Sequence, residues 1–499
     1  MSGQAFIVVD PVSTGGVVAV EAMQRGYSVI IAWSEECSED MRAHVPDVCK
    51  GIKYHAEVEE KSTIPQTAAA VKAAAGGMPI AACIVGAETG VTLADKLSLE
   101  LGVRSNGIFP LGDRRNKSVQ QRAVKATGLR AVREALGTTW TEVKDFVATE
   151  SMPVVVKPVE SAGSDGVKLC HTVEEAKAHF TLLMESQRKC GAQGAAVLCQ
   201  EFLKGKEYVV DCVSRGGVHK VIMVWVYDKR PTNGSAFVYY GMIPVESSSE
   251  VAQVLIKYTL GVLKALKLDN GPTHGEVMMT ADGPCMVEMN CRSHGWDGSW
   301  VPLEKLLTGG YSQPDVAVSS HVDGPAFDEI PAVYPKFKAA GQTVMLVSFF
   351  RGAVRSMPGY EKMKRLASFV ALQTPIGVGS KVELTVDLFT AVGVLILANP
   401  DAKQLEADLA TVRKMEKEGL FTFDEEIDPV QADDMVDMLP GRRLTEYSDA
   451  SRLSGRISGA GAYKASAGGP PTNETLFAVA GAAFAAGALI GLLAAKAVK

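Results

Sequence analysis

The stretch from residue 271 to 292 restricts the fold more than any other. His274, Glu276 and Met278 alternate with Gly275, Val277 and Met279, and after Asp282-Gly283 a second run carries Glu288, Asn290 and Arg292 at alternate positions. Asp-Gly between two alternating runs is a strong local signal for a β-hairpin. Strand side chains alternate with period two, so Glu288, Asn290 and Arg292 share a face, and antiparallel pairing brings Glu276 opposite Glu288. Flanking Val277, Met286, Val287 and Met289 predict a largely buried hairpin, where unpaired carboxylates are costly. The plain alternative is a solvated polar face. A metal site accounts better for buried acids. Two carboxylates and an amide are hard oxygen ligands that suit Mg²⁺. A neighbouring guanidinium suits bidentate contact with phosphate or carboxylate.

Two upstream stretches add to this. Residues 153–158 read as a strand ending in Lys157-Pro158, followed by Ser161, Ala162, Gly163, Ser164, Asp165 and Gly166. Small residues let backbone N–H groups fold over phosphate, and Lys157 supplies a point charge. No GxxxxGK[ST] is present, so this is not a Walker A loop. Residues 200–211 read as strand, short turn, strand, offering backbone groups and an acid to a nucleoside; a surface hairpin is the alternative.

The chain has 499 residues, about three domains at roughly 150 residues each. It is 47% hydrophobic and 22% charged, which excludes a mostly disordered chain. A net charge of -6 and 7% aromatics point away from nucleic acid. Nine cysteines without a CxxC pair favour reduced thiols over a disulfide framework or a zinc cluster. The first residues lead almost at once into an apolar strand, with no basic segment and long apolar run of a secretory signal.

Strand, loop, helix and strand recur over the first hundred residues. Strands are expected at 6–9, 28–32 and 80–85, with helices at 17–25 and 91–101, in an open parallel sheet. The loop at Ser13 to Gly16 is either a phosphate cradle or a tight turn. Residues 330–425 read as a separate α+β lobe, with strands at 344–349, 381–386 and 391–398 and a helix at 404–417. Residues 451–472 are rich in Ser, Gly and Ala and read as a flexible linker. Residues 476–495 carry no charge, a length that spans a bilayer as a helix. Gly487 and Gly491 form GxxxG, which lets two membrane helices approach closely. The alternative is an Ala-rich helix packed on the rest of the chain. Part of the mean hydropathy of +0.09 sits in this tail.

Taken in order, these pieces resemble the ATP-grasp superfamily over most of residues 1 to 425. They are most similar to the amino-acid ligase branch, which includes L-amino acid ligases and carnosine-synthase-type enzymes. The supporting stretches are residues 86–95, Arg114-Arg115-Asn116-Lys117, the Lys157 strand with its glycine loop, residues 201–207, and residues 271–292. The resemblance implies an α/β and α+β fold in several parts. These are a Rossmann-like parallel-sheet lobe (1–110), an ATP-grasp module (111–325, lid about 145–210), a C-terminal α+β lobe (326–430), a linker (431–475) and a membrane-spanning helix (476–495). It implies ATP and two Mg²⁺ ions, or Mn²⁺ in their place. Lys117 and Lys157 would hold the nucleotide, with Gly163, Ser164 and Gly166 in the lid. Glu201 and Leu203 would meet adenine, and Glu207 the ribose. Glu276, Glu288 and Asn290 would ligate metal, and Arg292 would steady an acyl phosphate. His274 falls where the branch often has a histidine near substrate, and a packed strand residue is the even alternative.

The implied reaction is ATP-dependent joining of a carboxylate to an amine, the expected partners being amino acids, with release of ADP and phosphate. Other ATP-grasp chemistry, as in a biotin carboxylase or a nucleotide-biosynthesis ligase, uses the same ATP machinery. A non-catalytic scaffold tethered to a membrane is a third reading. Residues 293–300 depart from the family, which commonly has small residues there: Gly295 keeps the pattern, while His294, Trp296 and Asp297 do not. His294 and Asp297 are read as an acceptor or carboxylate pocket, with lobe packing as the alternative. A homodimer and a cytosol-facing protein anchored by its C-terminus complete the expectations, with a soluble cytoplasmic protein if the tail is not inserted.

Overall fold

The computed structural model describes residues 3–43, 46–158, 168–185, 196–388 and 390–424. Four parallel strands open the chain: β1 (Ala5–Val9), β2 (Ser28–Trp33), β3 (Ala56–Glu59) and β4 (Ile80–Val85), in the order β3-β2-β1-β4. The apolar runs of β1 and β2 are buried on both faces, as a parallel sheet covered by helices requires. Chain order reverses beside β1, so the loops after β1 and β4 meet at the carboxyl edge. There Gly15 has no room for a side chain, because a Cβ would lie 2.6 Å from the Gly86 backbone. Ser13 to Gly16 is the tight turn into the helix Thr14–Gln24. Its hydroxyls serve the chain around residue 295: Thr14 Oγ1 donates to the Gly295 carbonyl, and Ser13 Oγ accepts from the Asp297 N–H.

A second, antiparallel sheet holds β5 (Glu134–Gly137), β6 (Val154–Pro158), β7 (Lys168–Cys170) and β8 (Val197–Glu201), in the order β5-β8-β6-β7. The helices Trp140–Thr149 and Val173–Glu185 pack on it through Val143, Val147, Ala176 and Phe180. This sheet starts before the expected lid boundary at 145.

The largest sheet has eight strands. It begins with β9 (Gly205–Arg215), β10 (Val218–Thr232), β11 (Ser235–Pro244), β12 (Gly271–Thr280) and β13 (Gly283–Asn290). Residues 200–211 are not a surface hairpin, since β8 belongs to the second sheet and β9 to this one. The chain then supplies β14 (Ala340–Leu346), β15 (Gly352–Ser356), β16 (Phe369–Gln373), β17 (Lys381–Val382), β18 (Gly393–Asn399) and β19 (Thr422–Phe423). The order β13-β12-β9-β10-β11-β14-β18-β16 runs through both groups, and β17-β15-β19 form a small sheet. Residues 330–425 are therefore not set apart, because three of their strands extend the sheet of the preceding segment. The strand expected at 381–386 stops at Val382. Beyond it, Thr385 Oγ1 accepts from the Ser348 N–H and donates to the Thr390 carbonyl, a turn rather than a ladder.

The glycine-loop residues Gly163, Ser164 and Gly166, the linker and the tail 476–495 lie outside the described residues. Among the described residues no helix is long and apolar enough to cross a membrane.

Candidate active site

Three adjacent strands of the large sheet, β13, β12 and β9, bring charged residues to one face. The Asp-Gly hairpin pairs His274 with Asn290 and Glu276 with Glu288. On the other side of β12, β9 pairs Asp211 with His274, Val209 with Glu276 and Glu207 with Met278. Period-two alternation then puts Glu207, Asp211, His274, Glu276, Glu288 and Asn290 on a common face. All six are buried, and Asp211, His274 and Glu276 have no exposed surface.

At the β13 end a helix supplies the cation. Asn116 caps the helix Lys117–Ala126 by accepting the Val119 N–H. Gln120 locks it to β13, donating to the Met289 carbonyl at 2.8 Å and accepting the Met289 N–H at 3.0 Å. This anchoring sets Lys117 Nζ 2.7 Å from Glu288 Oε2. Burial opposes ionisation of Glu288, but the Lys117 ammonium outweighs it and holds the carboxyl below its usual range. From Glu288 the contacts run along the strand: Asn290 Nδ2 donates to Glu288 Oε1 at 3.2 Å, and Arg292 Nη2 donates to Asn290 Oδ1 at 3.1 Å. Arg292 Nε lies 3.1 Å from Glu88 Oε2 at the carboxyl edge of the parallel sheet. Half-buried Lys157 lies close by on β6. Burial and the Lys117 charge push its ammonium down to about 8.

Glu276 differs from its neighbours. Neither of its oxygens accepts a hydrogen bond, and His274 Nε2 lies 3.4 Å from Oε1. Burial first, then the Glu288 and Glu207 charges, raise it well above the carboxylate range. Burying such a carboxyl without a hydrogen bond costs about 1–3 kcal/mol, which packing alone does not call for. With Glu288 and the Asn290 amide it forms a hard-oxygen set that fits Mg²⁺.

Asp211 is the opposite case. Oδ1 faces His274 Nδ1 at 2.8 Å and Oδ2 faces His294 Nδ1 at 2.9 Å, and the Trp225 Nε1–H donates to Oδ2 at 2.9 Å. Burial opposes its charge, but His294 and His274 hold it below the usual carboxylate range. An ionised carboxylate only accepts, so both imidazoles donate to Asp211 from Nδ1. Burial pushes His294 down to about 4, so it is neutral at pH 7. Asp211, His274 and His294 lie close enough together to hold a metal ion. The Nδ1–H donation to Asp211 directs them instead toward orienting rings.

Asp297 is half-buried in a left-handed conformation at φ 53°, with its N–H on Ser13. Its neighbour Trp296 packs edge-on to Tyr239 at 6.0 Å. The Glu201 carboxylate is saturated: Arg130 reaches it at 2.6 and 2.8 Å, Arg133 Nη2 at 2.7 Å, and it accepts the Arg133 N–H at 2.7 Å. What 201–203 can still offer a base is backbone. Glu207 Oε2 accepts from Lys229 Nζ at 2.6 Å.

The sequence reading assigned no role to Asp211, Glu88 or Lys229. Asp211 was within reach, since it stands four residues after Glu207 and so shares its face. Nothing local marks the other two.

Residues 150–299, which hold this face, match the family model described as ATP-grasp domain. The chain carries an ATP-grasp domain. Its likeness extends further. Dapdiamide A synthase of Enterobacter agglomerans is 29% identical over 342 residues, 68% of this chain and 79% of that protein. Phosphoribosylamine--glycine ligase of Halalkalibacterium halodurans is 26% identical over 325 residues, 61% of this chain and 72% of that protein. The crystal structure of L-amino acid ligase from Bacillus licheniformis superposes with a TM-score of 0.63 at 15% identity, covering 82% of this chain and 97% of the other. In fold the chain resembles the L-amino acid ligase structure.

Proposed function

We propose that the chain is an ATP-dependent ligase that joins a carboxylate to an amine, forming an amide through an acyl phosphate and releasing ADP and phosphate. The observation that carries this reading is Glu276, a buried carboxylate without a hydrogen bond beside the Lys117–Glu288 pair in an ATP-grasp domain. The likeness to dapdiamide A synthase and L-amino acid ligase supports amide formation over carboxylation.

A carboxylate is a poor electrophile, and phosphorylation gives it a good leaving group. Lys117 and Lys157 would hold the phosphates, and the backbone of 201–203 would meet adenine. Glu207 keeps Oε1 without a hydrogen bond, an acceptor for a ribose hydroxyl. Glu276, Glu288 and Asn290 would hold two Mg²⁺ ions, which when bound offset charge on the transferring phosphoryl group. Arg292 would steady the acyl phosphate and the later tetrahedral intermediate. His274, His294 and Asp297 would face the substrates. No protein nucleophile is needed. The nearby thiols of Cys291 and Cys212 are pushed far up by burial, which suits core residues.

The test uses the full chain with ATP, Mg²⁺ and pooled amino acids. Phosphate release that requires two amino acids, with the joined product seen by mass, is the expected result. Release that requires bicarbonate would replace this reading with a carboxylase. No turnover on any pool would favour the scaffold.

A further inference from the structure

Outside the candidate active site, two arginines meet without an acid between them. Arg104 follows the helix Val91–Glu100 of the parallel-sheet lobe, and Arg215 ends β9. Both are half-buried. A Cβ at Gly216, the residue next to Arg215, would lie 3.9 Å from Arg104 Nη1. Among the described residues no acid pairs with either one. Asp269 is close to the turn, but it gives its carbonyl to the Gly217 N–H and its carboxylate bonds neither arginine.

Each guanidinium is held from behind. Arg104 Nη1 donates to Asn270 Oδ1 at 3.0 Å. Asn270 is itself fixed, with its Nδ2 donating to the Ser105 carbonyl at 2.9 Å and its N–H to Asn106 Oδ1 at 2.7 Å. Arg215 Nη1 donates to the Ser320 carbonyl at 2.5 Å, and a Cβ at Gly324 would fall 3.0 Å from its Nη2. Arg104 Nε is buried and makes no hydrogen bond. A guanidinium carries five N–H donors, so most of each fork is left over. Burial and then Arg215 lower the pKa of Arg104. Burial, with both arginines adding to it, pushes His321 down to about 4, although its Nδ1 faces the Ala317 carbonyl at 3.0 Å. In a chain with a net charge of -6 acids are plentiful, yet none is placed here. Two like charges so arranged favour an anion between them.

Shape selects the anion. One fork grips two oxygens, so a single carboxylate satisfies one arginine. A tetrahedral phosphate has oxygens for both. We propose that Arg104 and Arg215 form a binding site for a phosphate oxyanion, either the free ion or the head of a phosphomonoester. The site shares no residue with the candidate active site and is independent of the ligase reading. Arg215 stands four residues beyond Asp211 on β9, about 13 Å along an extended strand. A bound phosphate would tie the loop at Arg104, the β9–β10 turn and the helix Gln313–Val322 together at the far end of that strand.

The experiment follows amide hydrogen exchange of the full chain, with ADP and Mg²⁺ present throughout to occupy the nucleotide site. Inorganic phosphate is titrated through the millimolar range, and glycerol 3-phosphate, malonate and sodium chloride are run in parallel at matched ionic strength. Phosphate should slow exchange around Arg104, Gly216 and His321 by roughly threefold or more. Protection by phosphate alone assigns the free ion, and protection by glycerol 3-phosphate as well assigns the phosphomonoester head. Arg104→Gln/Arg215→Gln should weaken half-saturation roughly tenfold or more, while ADP affinity and melting in chloride stay close to wild type. The single variants Arg104→Lys and Arg215→Lys keep the charge and lose the fork, so they should fall between. They carry the test if the double variant does not fold. No protection by phosphate, equal protection by malonate or chloride, or protection that survives in the double variant would each overturn the proposal.

Discussion

Asp10 and Glu276 are both carboxylates with no exposed surface, and burial raises both, yet their surroundings differ. Asp10, at the carboxyl end of β1, accepts from the Ser34 N–H at 2.8 Å, the Ser34 hydroxyl at 2.5 Å and the Thr89 hydroxyl at 2.6 Å. It ties the loops after β1, β2 and β4 together. Glu276, in the middle of the antiparallel sheet, accepts no hydrogen bond and faces two other acids. The parallel sheet satisfies its buried charge from within. The antiparallel face holds a carboxyl that its surroundings keep from ionising and whose partner must come from outside, as a bound cation would. Burial alone does not separate scaffold from site; the completeness of the hydrogen bonding does.

That contrast can be broken by exchanging each acid for its amide. Glu276→Gln should lower phosphate release more than roughly 100-fold while raising thermal stability by about 1 kcal/mol, because an acid that ionises in the unfolded chain but is kept un-ionised by the fold is removed. A melt that falls together with the rate would make Glu276 structural. Asp10→Asn should do the reverse. It weakens charge-assisted hydrogen bonds worth about 1.5–3 kcal/mol each, so denaturant unfolding should show a loss of about 2 kcal/mol, with turnover per folded molecule within about twofold. The smallest effect concerns Lys157, whose pKa is lowered to about 8. Its ammonium is present below that value and lost above it, so ADP affinity should weaken as pH rises through 8, by at most about tenfold per unit. Titration calorimetry between pH 7 and 9 reads this, and Lys157→Arg should flatten the profile.

The sequence was most legible where the information is local. The Asp282-Gly283 turn and flanking alternation sufficed to pair Glu276 with Glu288, and the strand–helix rhythm sufficed for the parallel sheet. Contacts between distant segments were not legible. Lys229 reaches Glu207 across a register shift between Asp228 and Lys229, which breaks the alternation a reader would follow. His294 meets Asp211 across 83 positions. The Glu201 carboxylate looked available to a nucleoside because Arg130 and Arg133 lie some seventy residues earlier, with no pattern linking them. Residues 330–425 looked self-contained because β14, β18 and β16 show ordinary strand patterns, and nothing in a strand names its neighbour.

The junction between β11 and β14 has a further consequence. The two strands meet at Gly241 and Met242, and Gly241 lies so close that a Cβ would fall 2.0 Å from the Thr343 carbonyl. A chain ending near residue 330 would keep the charged face but leave the outer edge of β11 bare along a ten-residue strand. Bare edges of that length recruit other strands. The last quarter of the described chain therefore acts as a guard rail, keeping a reactive sheet from growing into its neighbours.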